Sequence, residues 1–189
     1  MPPLYFIQMS GVPGSGKTTL AHALAKPLGA MVIDHDITKS ALLGADVPLA
    51  LAGRASYAVL DALARHLLGQ GHTVIFDSPC AYSELLERGQ QMAQALGAAY
   101  RYIECVVADL GEIKRRLRTR PRLPSQITGM GVPPRLGSDK AVMDAELFQQ
   151  WINSMQRPAA DYLVLDTSQP LEVYLPLDLT YINTGQGNR

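Results

Sequence analysis

Short apolar segments alternate along the chain with longer segments in which apolar residues recur every three or four positions. Five apolar runs predict buried strands: "LYFIQMS", "AMVID", "HTVIFDSP", "AAYRYIECVV" and "DYLVLDTS". Helical spacing predicts helices over Lys17–Pro27, Arg54–Leu68, Tyr82–Leu96, "LGEIKRRLRTR" and "SDKAVMDAELFQQWINSM". This alternation predicts one α/β domain over residues 1–189, a five-stranded parallel sheet flanked by helices.

Two segments interrupt the alternation. Pro121–Gly137 is broken by prolines and glycines and predicts a long loop, a feature that is usually functional in a compact domain. We expect a lid over about residues 116–138. The tail "PLEVYLPLDLTYI" receives no assignment, because Pro176 interrupts its apolar pattern.

Composition and charge narrow the function classes. The 189 residues suit one domain, and 17 Lys plus Arg balance 17 Asp plus Glu, so no bulk charge attracts nucleic acid or an anionic membrane. There is no signal peptide pattern and no apolar run of about 18 residues, so we expect a cytoplasmic protein without a membrane span. Cys80 and Cys105 lie on or beside predicted strands and are expected to be reduced core thiols.

The first predicted strand leads into "GVPGSGKT", which fits the phosphate-binding pattern G-x-x-x-x-G-K-[ST]. Glycines let successive backbone N–H groups converge on one anion, and the following helix adds the positive end of its dipole. The lysine can reach the β- and γ-phosphates, and the threonine can bind Mg²⁺. We therefore predict an ATP and Mg²⁺ site whose nucleotide contacts are Gly11, Pro13, Gly14, Ser15, Gly16, Lys17, Thr18 and Thr19.

Three carboxylates follow predicted strands, at the edge where open α/β sheets bind ligands. Asp34 and Asp36 end the second strand, and either can orient or deprotonate an acceptor hydroxyl. We expect Asp36 to have this catalytic role, with Asp34 as the alternative, although Asp36 can equally cap the next helix. His35 between them is expected to point elsewhere. Asp77 ends "TVIF" and is, with Thr18, the expected Mg²⁺ contact, through water.

Five arginines cluster in "EIKRRLRTRPR", just before the predicted loop. Arg116 and Arg120 are four residues apart, which predicts that they share one helix face at the entrance of the lid. Arginines in this position can stabilise the charge on a transferring phosphoryl group. We expect Arg115, Arg118 and Arg122 to be solvated.

In this order, the segments "GVPGSGKTTLA", "DHDITKSAL", "VIFDSP", "RRLRTR" and "DYLVLDTSQPLE" resemble P-loop kinases related to polynucleotide 5′-hydroxyl kinases, chloramphenicol phosphotransferase and zeta-toxin-like kinases. The resemblance implies a P-loop NTPase fold from about Tyr5 to Val173. It also implies that Asp36 activates the acceptor, that Arg116 and Arg120 form the lid pair, and that Asp166–Pro170 borders the adenine. The chain departs from the family where His35 splits the two aspartates and where Pro79 and Cys80 follow Asp77-Ser78 in place of Thr-Asn.

The residues together predict an ATP- and Mg²⁺-dependent kinase that phosphorylates a hydroxyl of a small molecule. Lys17, Arg116 and Arg120 would act on the phosphoryl group, and Asp36 or Asp34 on the acceptor. A polynucleotide 5′-hydroxyl kinase is the first alternative; the neutral charge balance and the 6% aromatic content count against it. A non-catalytic nucleotide-binding protein is the second alternative, although such a protein would need neither an acceptor carboxylate nor the arginine pair. The sequence names neither the acceptor nor the oligomeric state.

Overall fold

The computed structural model describes residues 3–126 and 145–187 of the chain. Strands and helices alternate through these ranges, and their order confirms the predicted α/β class. The elements are β1 (Tyr5–Ser10), α1 (Lys17–Leu28), β2 (Met31–Asp34), α2 (His35–Gly44), α3 (Leu49–Gly69), β3 (Val74–Asp77), α4 (Ser83–Ala95), β4 (Ala99–Val106), α5 (Leu110–Thr119), α6 (Ala145–Asn153), β5 (Tyr162–Asp166) and α7 (Leu171–Thr184).

The described strands form a five-stranded sheet in the order β2-β3-β1-β4-β5, and every neighbouring pair is parallel. All residues of the central strand β1 are buried, which explains its near-continuous apolar sequence. The chain goes from β1 to one side of the sheet for β2 and β3, and to the other side for β4 and β5. Ligands of open α/β sheets bind at the carboxyl ends of the strands beside such a reversal.

Helices cover both faces of the sheet and fix the position of α1. Leu20 and Leu24 of α1 pack with Tyr181 of α7 in the core on one face, and each is at most 1% exposed. On the other face, Leu60 of α3 and Met92 of α4 pack against the strands. Burial of each such side chain stabilises the fold by about 1.5–3 kcal/mol. The N-terminus of α1 is therefore held at the carboxyl edge of the sheet.

The start of α2 differs from one expectation. Asp34 has an extended backbone (φ −112°, ψ 124°), and its Oδ1 accepts hydrogen bonds from the backbone N–H groups of Asp36 at 2.6 Å and Ile37 at 3.2 Å. Asp34 is therefore the N-cap of this helix. The alternative in which Asp36 caps the helix is wrong, because Asp36 already lies in its first turn.

Two other helices differ from the sequence pattern. α3 begins earlier than predicted, at Leu49, directly after Pro48, which has φ −55°. Proline at a helix start loses no hydrogen bond, because the first N–H groups have no partner within the helix. The unassigned tail forms α7, with Pro176 inside it and exposed. Both predicted core thiols are confirmed as buried and unpaired: Cys80 and Cys105.

Some predictions lie partly outside the described residues. Only 121–126 of the expected loop and only 145–155 of the helix expected after it are described, and the lid predicted over 116–138 lies outside the described residues from 127 onward. Among the helices of the two described ranges, none is both long and apolar enough to cross a bilayer.

Asp178 is an ionisable group inside the core. It lies on α7 and is 0% exposed. Within the described residues, neither of its carboxylate oxygens has a hydrogen-bond partner. Burial raises the pKa of this carboxyl to about 8, because an isolated charge is poorly solvated there. Asp178 is therefore mainly protonated and neutral at pH 7.

The Asp178 carboxyl should make the stability depend on pH. Its pKa is higher in the folded protein than in the unfolded chain, so folding takes up a proton between about pH 4 and about pH 8. The free energy of unfolding should then fall as the pH rises through this window, by up to about 1.4 kcal/mol per pH unit. Asp178→Asn should remove this contribution, as measured by urea unfolding across the window.

Glu172→Gln, on the exposed side of the same helix, is the matched control and should keep the wild-type pH dependence. If Asp178→Asn also kept it, the carboxyl would already be ionised in the folded protein.

Candidate functional site

A cavity of about 1700 Å³ opens at the carboxyl edge of the sheet. Its walls come from the loop after β1, the ends of β2 and β3, α2, α3 and the end of α5. Pockets for one small ligand are commonly about 300–1,000 Å³, so this one has room for two ligands side by side. Most of the predicted site residues line it: Pro13, Gly14, Gly16, Lys17, Thr18, Thr19, Asp34, Asp36, Asp77, Arg116 and Arg120. Gly11 and Ser15 are buried and do not line it.

The loop between β1 and α1 requires glycine at its tightest points. Gly11 has φ 127°, and a Cβ added there would lie 2.3 Å from the carbonyl oxygen of Cys105 on β4. Gly16 has φ 90° and is the N-cap of α1. Both values of φ are strained for any residue with a side chain. The loop can therefore lie close against the sheet and present its backbone to the cavity.

The N-terminus of α1 is suited to binding an anion. Gly16 provides no side-chain cap, so the first N–H groups of this helix have no capping oxygen. A phosphate group fits these N–H donors and the positive end of the helix dipole. The Ser15 hydroxyl, which does not line the cavity, is buried and has no hydrogen-bond partner among the described residues.

Lys17 is the first residue of α1 and lies among the three predicted carboxylates. Burial raises the pKa of Asp34, Asp36 and Asp77, and the positive charge of Lys17 opposes this by lowering the pKa of each. Its Nζ donates a hydrogen bond to the backbone oxygen of Val12 at 3.3 Å. The ammonium group is thus held between the loop and the carboxylates.

Asp34 and Asp77 are neighbours on adjacent strands, because β2 and β3 pair in a register that aligns them. Asp77 is 3% exposed, and burial raises its pKa to about 6, although Lys17 and Thr18 are close enough to oppose the rise. Neither Asp77 oxygen accepts a hydrogen bond of good geometry within the described residues. Burial also raises the pKa of Asp34.

Asp36 has a different environment from the other two carboxylates. Burial alone would raise its pKa, but the nearby His35 ring, a hydrogen bond from Gln126 and the charge of Lys17 lower it to about 2. The Gln126 Nε2 donates to Asp36 Oδ2 at 2.7 Å. Asp36 is therefore ionised at neutral pH, and its side chain remains 37% exposed to the cavity.

The residues present fit a magnesium ion that is bound together with a nucleotide. In the described part of the chain, no three acidic, histidine or cysteine side chains lie close enough to hold a metal by themselves. Mg²⁺ commonly takes few protein ligands and completes its shell with water and phosphate oxygens. Thr18, at the cavity surface, and the unpaired buried carboxylate of Asp77 provide oxygen donors of this kind.

The two predicted lid arginines both line the cavity, on the side of α5 that faces it. Arg120 is the C-cap of α5: its N–H still donates to the backbone oxygen of Arg116 at 3.1 Å, and the chain becomes extended only after it (φ −69°, ψ 148°). Burial lowers the pKa of Arg120, while the charges of Asp36 and then Asp34 oppose the change. Arg120 thus lies on the carboxylate side of the cavity.

Arg116 connects two parts of the site. Its guanidinium donates to the backbone oxygen of Thr167 at 2.7 Å, to Thr167 Oγ1 at 3.2 Å and to the backbone oxygen of Gly14 at 3.4 Å. It also forms an ion pair with Glu112 at 2.7 Å. In this conformation Arg116 supports the loop, and contact with a phosphoryl group stays a prediction.

Three contributors to the site were not predicted from the sequence: His35, Tyr57 and Gln126. Thr167 lies in the segment expected to border the adenine, but its hydrogen bond to the backbone oxygen of Ser15 at 2.5 Å was not foreseen. The His35 ring lines the cavity and stacks on Tyr57, with ring centroids 4.3 Å apart, although we expected it to point elsewhere. Gln126 lies in the segment predicted as a loop and carries no sequence signal.

Comparison with known proteins agrees with this architecture. The solved structures similar to this chain include a candidate kinase from Chloroflexus aurantiacus J-10-fl, with 19% identity, a TM-score of 0.72, and coverage of 97% of this chain and 98% of that one. APS kinase from Mycobacterium tuberculosis in complex with AMPPNP and APS has 20% identity, a TM-score of 0.64 and coverage of 97% and 100%. A sugar kinase from Janibacter sp. HTCC2649 has 20% identity, a TM-score of 0.64 and coverage of 96% and 95%. At these identities the likeness establishes the fold.

The sheet order and the loop before α1 define a P-loop NTPase fold, as the sequence predicted. No curated protein matches the sequence significantly. The sequence matches the AAA domain family over residues 6–129, and the chain belongs to that family.

Removal of the Arg116 side chain should weaken Mg–ATP binding. Arg116→Ala loses the hydrogen bonds to Thr167 and Gly14, each worth about 0.5–3 kcal/mol, so the loop is less well ordered before the nucleotide arrives. We expect the dissociation constant, measured by isothermal titration calorimetry, to rise about tenfold. Arg118→Ala is the control, because Arg118 lies on the same helix, is exposed, does not line the cavity and donates only to the backbone oxygen of Lys114 among the described residues. Equal affinity in the two variants would contradict the supporting role.

Proposed function

We propose that this protein is a Mg²⁺-dependent kinase that transfers the γ-phosphoryl group of ATP to a hydroxyl of a small molecule. The observation that carries the proposal is the shared cavity. It joins the uncapped N-terminus of α1 and Lys17 to the carboxylates that end β2 and β3. A phosphate donor and a hydroxyl acceptor can meet there.

The nucleotide half of the cavity would hold the phosphates. The backbone N–H groups from Gly14 to Thr18 and the Lys17 ammonium bind their oxygens, and Thr18 and Asp77 would hold the magnesium ion, Asp77 through water. When bound, Mg²⁺ offsets the negative charge of the phosphates and of the developing transition state. Thr167 and Gln169, which line the cavity, lie in the segment expected to border the adenine.

The acceptor half is bounded by α2 and α3. In the transfer step the acceptor oxygen forms a bond to the γ-phosphorus, and the bond from that phosphorus to the bridging oxygen of ADP breaks. Asp36 accepts the hydrogen bond of the hydroxyl and finally its proton. A carboxylate with a pKa of about 2 is a weak base, so Asp36 acts mainly by orienting the hydroxyl. A loose transition state permits such late proton transfer.

A small acceptor is favoured by three observations. The cavity has room for a nucleotide and one further small ligand. The exposed arginines of α5 are already engaged: Arg115 bonds to Glu112, and Arg118 donates to the backbone oxygen of Lys114. Two of the structural neighbours are named as an APS kinase and a sugar kinase, which act on small molecules by their names. A polynucleotide acceptor would require a continuous basic groove.

The direct test is transfer of radiolabelled γ-phosphate to a panel of small hydroxyl compounds, with a 5′-hydroxyl oligonucleotide included. We expect a small compound to be labelled and Lys17→Ala to reduce labelling at least about 100-fold, because the lysine charge meets the phosphates. Lys26→Ala, on the exposed end of the same helix, is the control. Labelling of the oligonucleotide alone would favour a polynucleotide kinase. ATP binding without turnover under any condition would favour a non-catalytic role.

A pair of isosteric variants distinguishes the two aspartates. Asp36→Asn should lower turnover about 100-fold with ATP affinity unchanged, because an amide cannot accept the proton. Asp34→Asn should have the smaller effect, since asparagine still caps α2 and the fold is kept. Steady-state kinetics with Mg–ATP measures both. A larger loss in Asp34→Asn would assign the acceptor role to Asp34.

A further inference from the structure

The segment after α5 is attached to α2 by side-chain hydrogen bonds. The Ser125 backbone N–H donates to Ser40 Oγ at 3.1 Å, and the Ser40 hydroxyl donates to Ser125 Oγ at 2.8 Å. The Ser125 hydroxyl in turn donates to the backbone oxygen of Asp36 at 3.1 Å. Ser40 and Ser125 are 8% and 7% exposed, so these bonds are shielded from water. The segment therefore has a fixed position beside Asp36.

Gln126 is oriented at both ends of its amide. Its Oε1 accepts a hydrogen bond from the Leu123 backbone N–H at 3.2 Å, so its Nε2 must face the other way. There it donates to Asp36 Oδ2 at 2.7 Å. A neutral amide orients a carboxylate and leaves its charge in place, whereas a lysine would neutralise that charge.

The other Asp36 oxygen, Oδ1, also has a neighbouring side chain. Asp36 Oδ1 lies 3.7 Å from Nδ1 of His35, whose ring is fixed by stacking on Tyr57. A carboxylate has about four lone-pair positions, so lone pairs remain for a hydroxyl that enters from the cavity. The rotation of the carboxylate is limited from both sides.

We infer that Gln126 is a positioning residue that holds Asp36 in the orientation that accepts the hydroxyl of the acceptor. This inference rests on the proposed kinase function. The contact links residues 90 positions apart in the chain. Without this hydrogen bond, the Asp36 side chain would be able to adopt several rotamers. A carboxylate in the wrong rotamer orients a hydroxyl poorly.

Two substitutions separate positioning from a merely structural role. Gln126→Met keeps the length of the side chain and removes its donor, so turnover should fall about tenfold or more with the KM for ATP unchanged. Gln126→Glu keeps the shape and places a second carboxylate against Asp36. Two carboxylates at this distance share a proton, which resides mainly on the introduced carboxyl because Asp36 is the stronger acid. The protonated carboxyl can donate to Asp36 as the amide does, so the turnover of this variant should stay closer to the wild-type value at acid pH. It should fall as the pH rises and the pair loses the shared proton.

The pH profile identifies the contact because the other charged or titratable groups near Asp36 are the same in every variant: Lys17, Asp34, His35, Tyr57, Asp77 and Arg120. The wild type should show no such loss with rising pH, because the Gln126 amide does not ionise. Gln94→Met, on the exposed side of α4, is the matched control and should keep wild-type turnover. The ¹³C carboxyl resonance of Asp36, followed against pH in wild type and Gln126→Glu, reports on the same contact without ATP.

The outcomes are distinct. A wild-type protein without ATP turnover overturns the proposed function and the positioning role with it. Wild-type turnover that is retained in both Gln126→Met and Gln126→Glu, while Asp36→Asn is inactive, overturns the inference alone. An equal loss at every pH in Gln126→Glu, without a shift in the Asp36 titration, also overturns it, since it would mean that the residue only supports the fold. The expected result is the KM-independent loss in Gln126→Met together with a new loss of turnover with rising pH in Gln126→Glu.

Discussion

The site depends on how closely the loop after β1 approaches the sheet. A side-chain carbon at Gly11 would overlap the Cys105 carbonyl, and Gly16 leaves α1 without a side-chain cap. The backbone donors at this helix end are therefore satisfied by a ligand or by water. Because α1 is fixed in the core through Leu20 and Leu24, these donors have a set direction. Binding of an anion here requires little reorganisation of the protein.

The loop after β1 is also supported by residues that follow the edge strand β5. Thr167, just after β5, bonds to Ser15 and receives two hydrogen bonds from Arg116, which also reaches Gly14. Parallel strands end at one edge, so residues that are distant in the chain meet there. The segment expected near the adenine and the phosphate loop are in this way parts of one hydrogen-bonded unit.

Charge is distributed unequally around Lys17. Three carboxylates surround it, and burial raises the pKa of Asp77 and Asp34, whereas the nearby His35, the Gln126 amide and Lys17 keep that of Asp36 low. The unequal pKa values fit different tasks. A nearby cation would stabilise the ionised form of the buried Asp77, whereas Asp36 stays ionised without one. Gln126 contributes to that difference from a segment outside the strand and helix pattern.

The sequence by itself determined the strand–helix alternation, the phosphate-binding loop and the positions of Asp34 and Asp77 at strand ends. Each follows from local rules: periodicity, glycine spacing and apolar runs that end in a charged residue. The sequence could not decide which aspartate caps α2, since two carboxylates two residues apart can both reach N–H groups. In the structure, the extended backbone of Asp34 places it at the N-cap. Likewise, spacing placed Arg120 on a helix that ends one residue before it. The contacts of Gln126 with Asp36 and of Thr167 with Ser15 were decided by the tertiary structure alone, because they join segments that are far apart in the chain and carry no periodic signal.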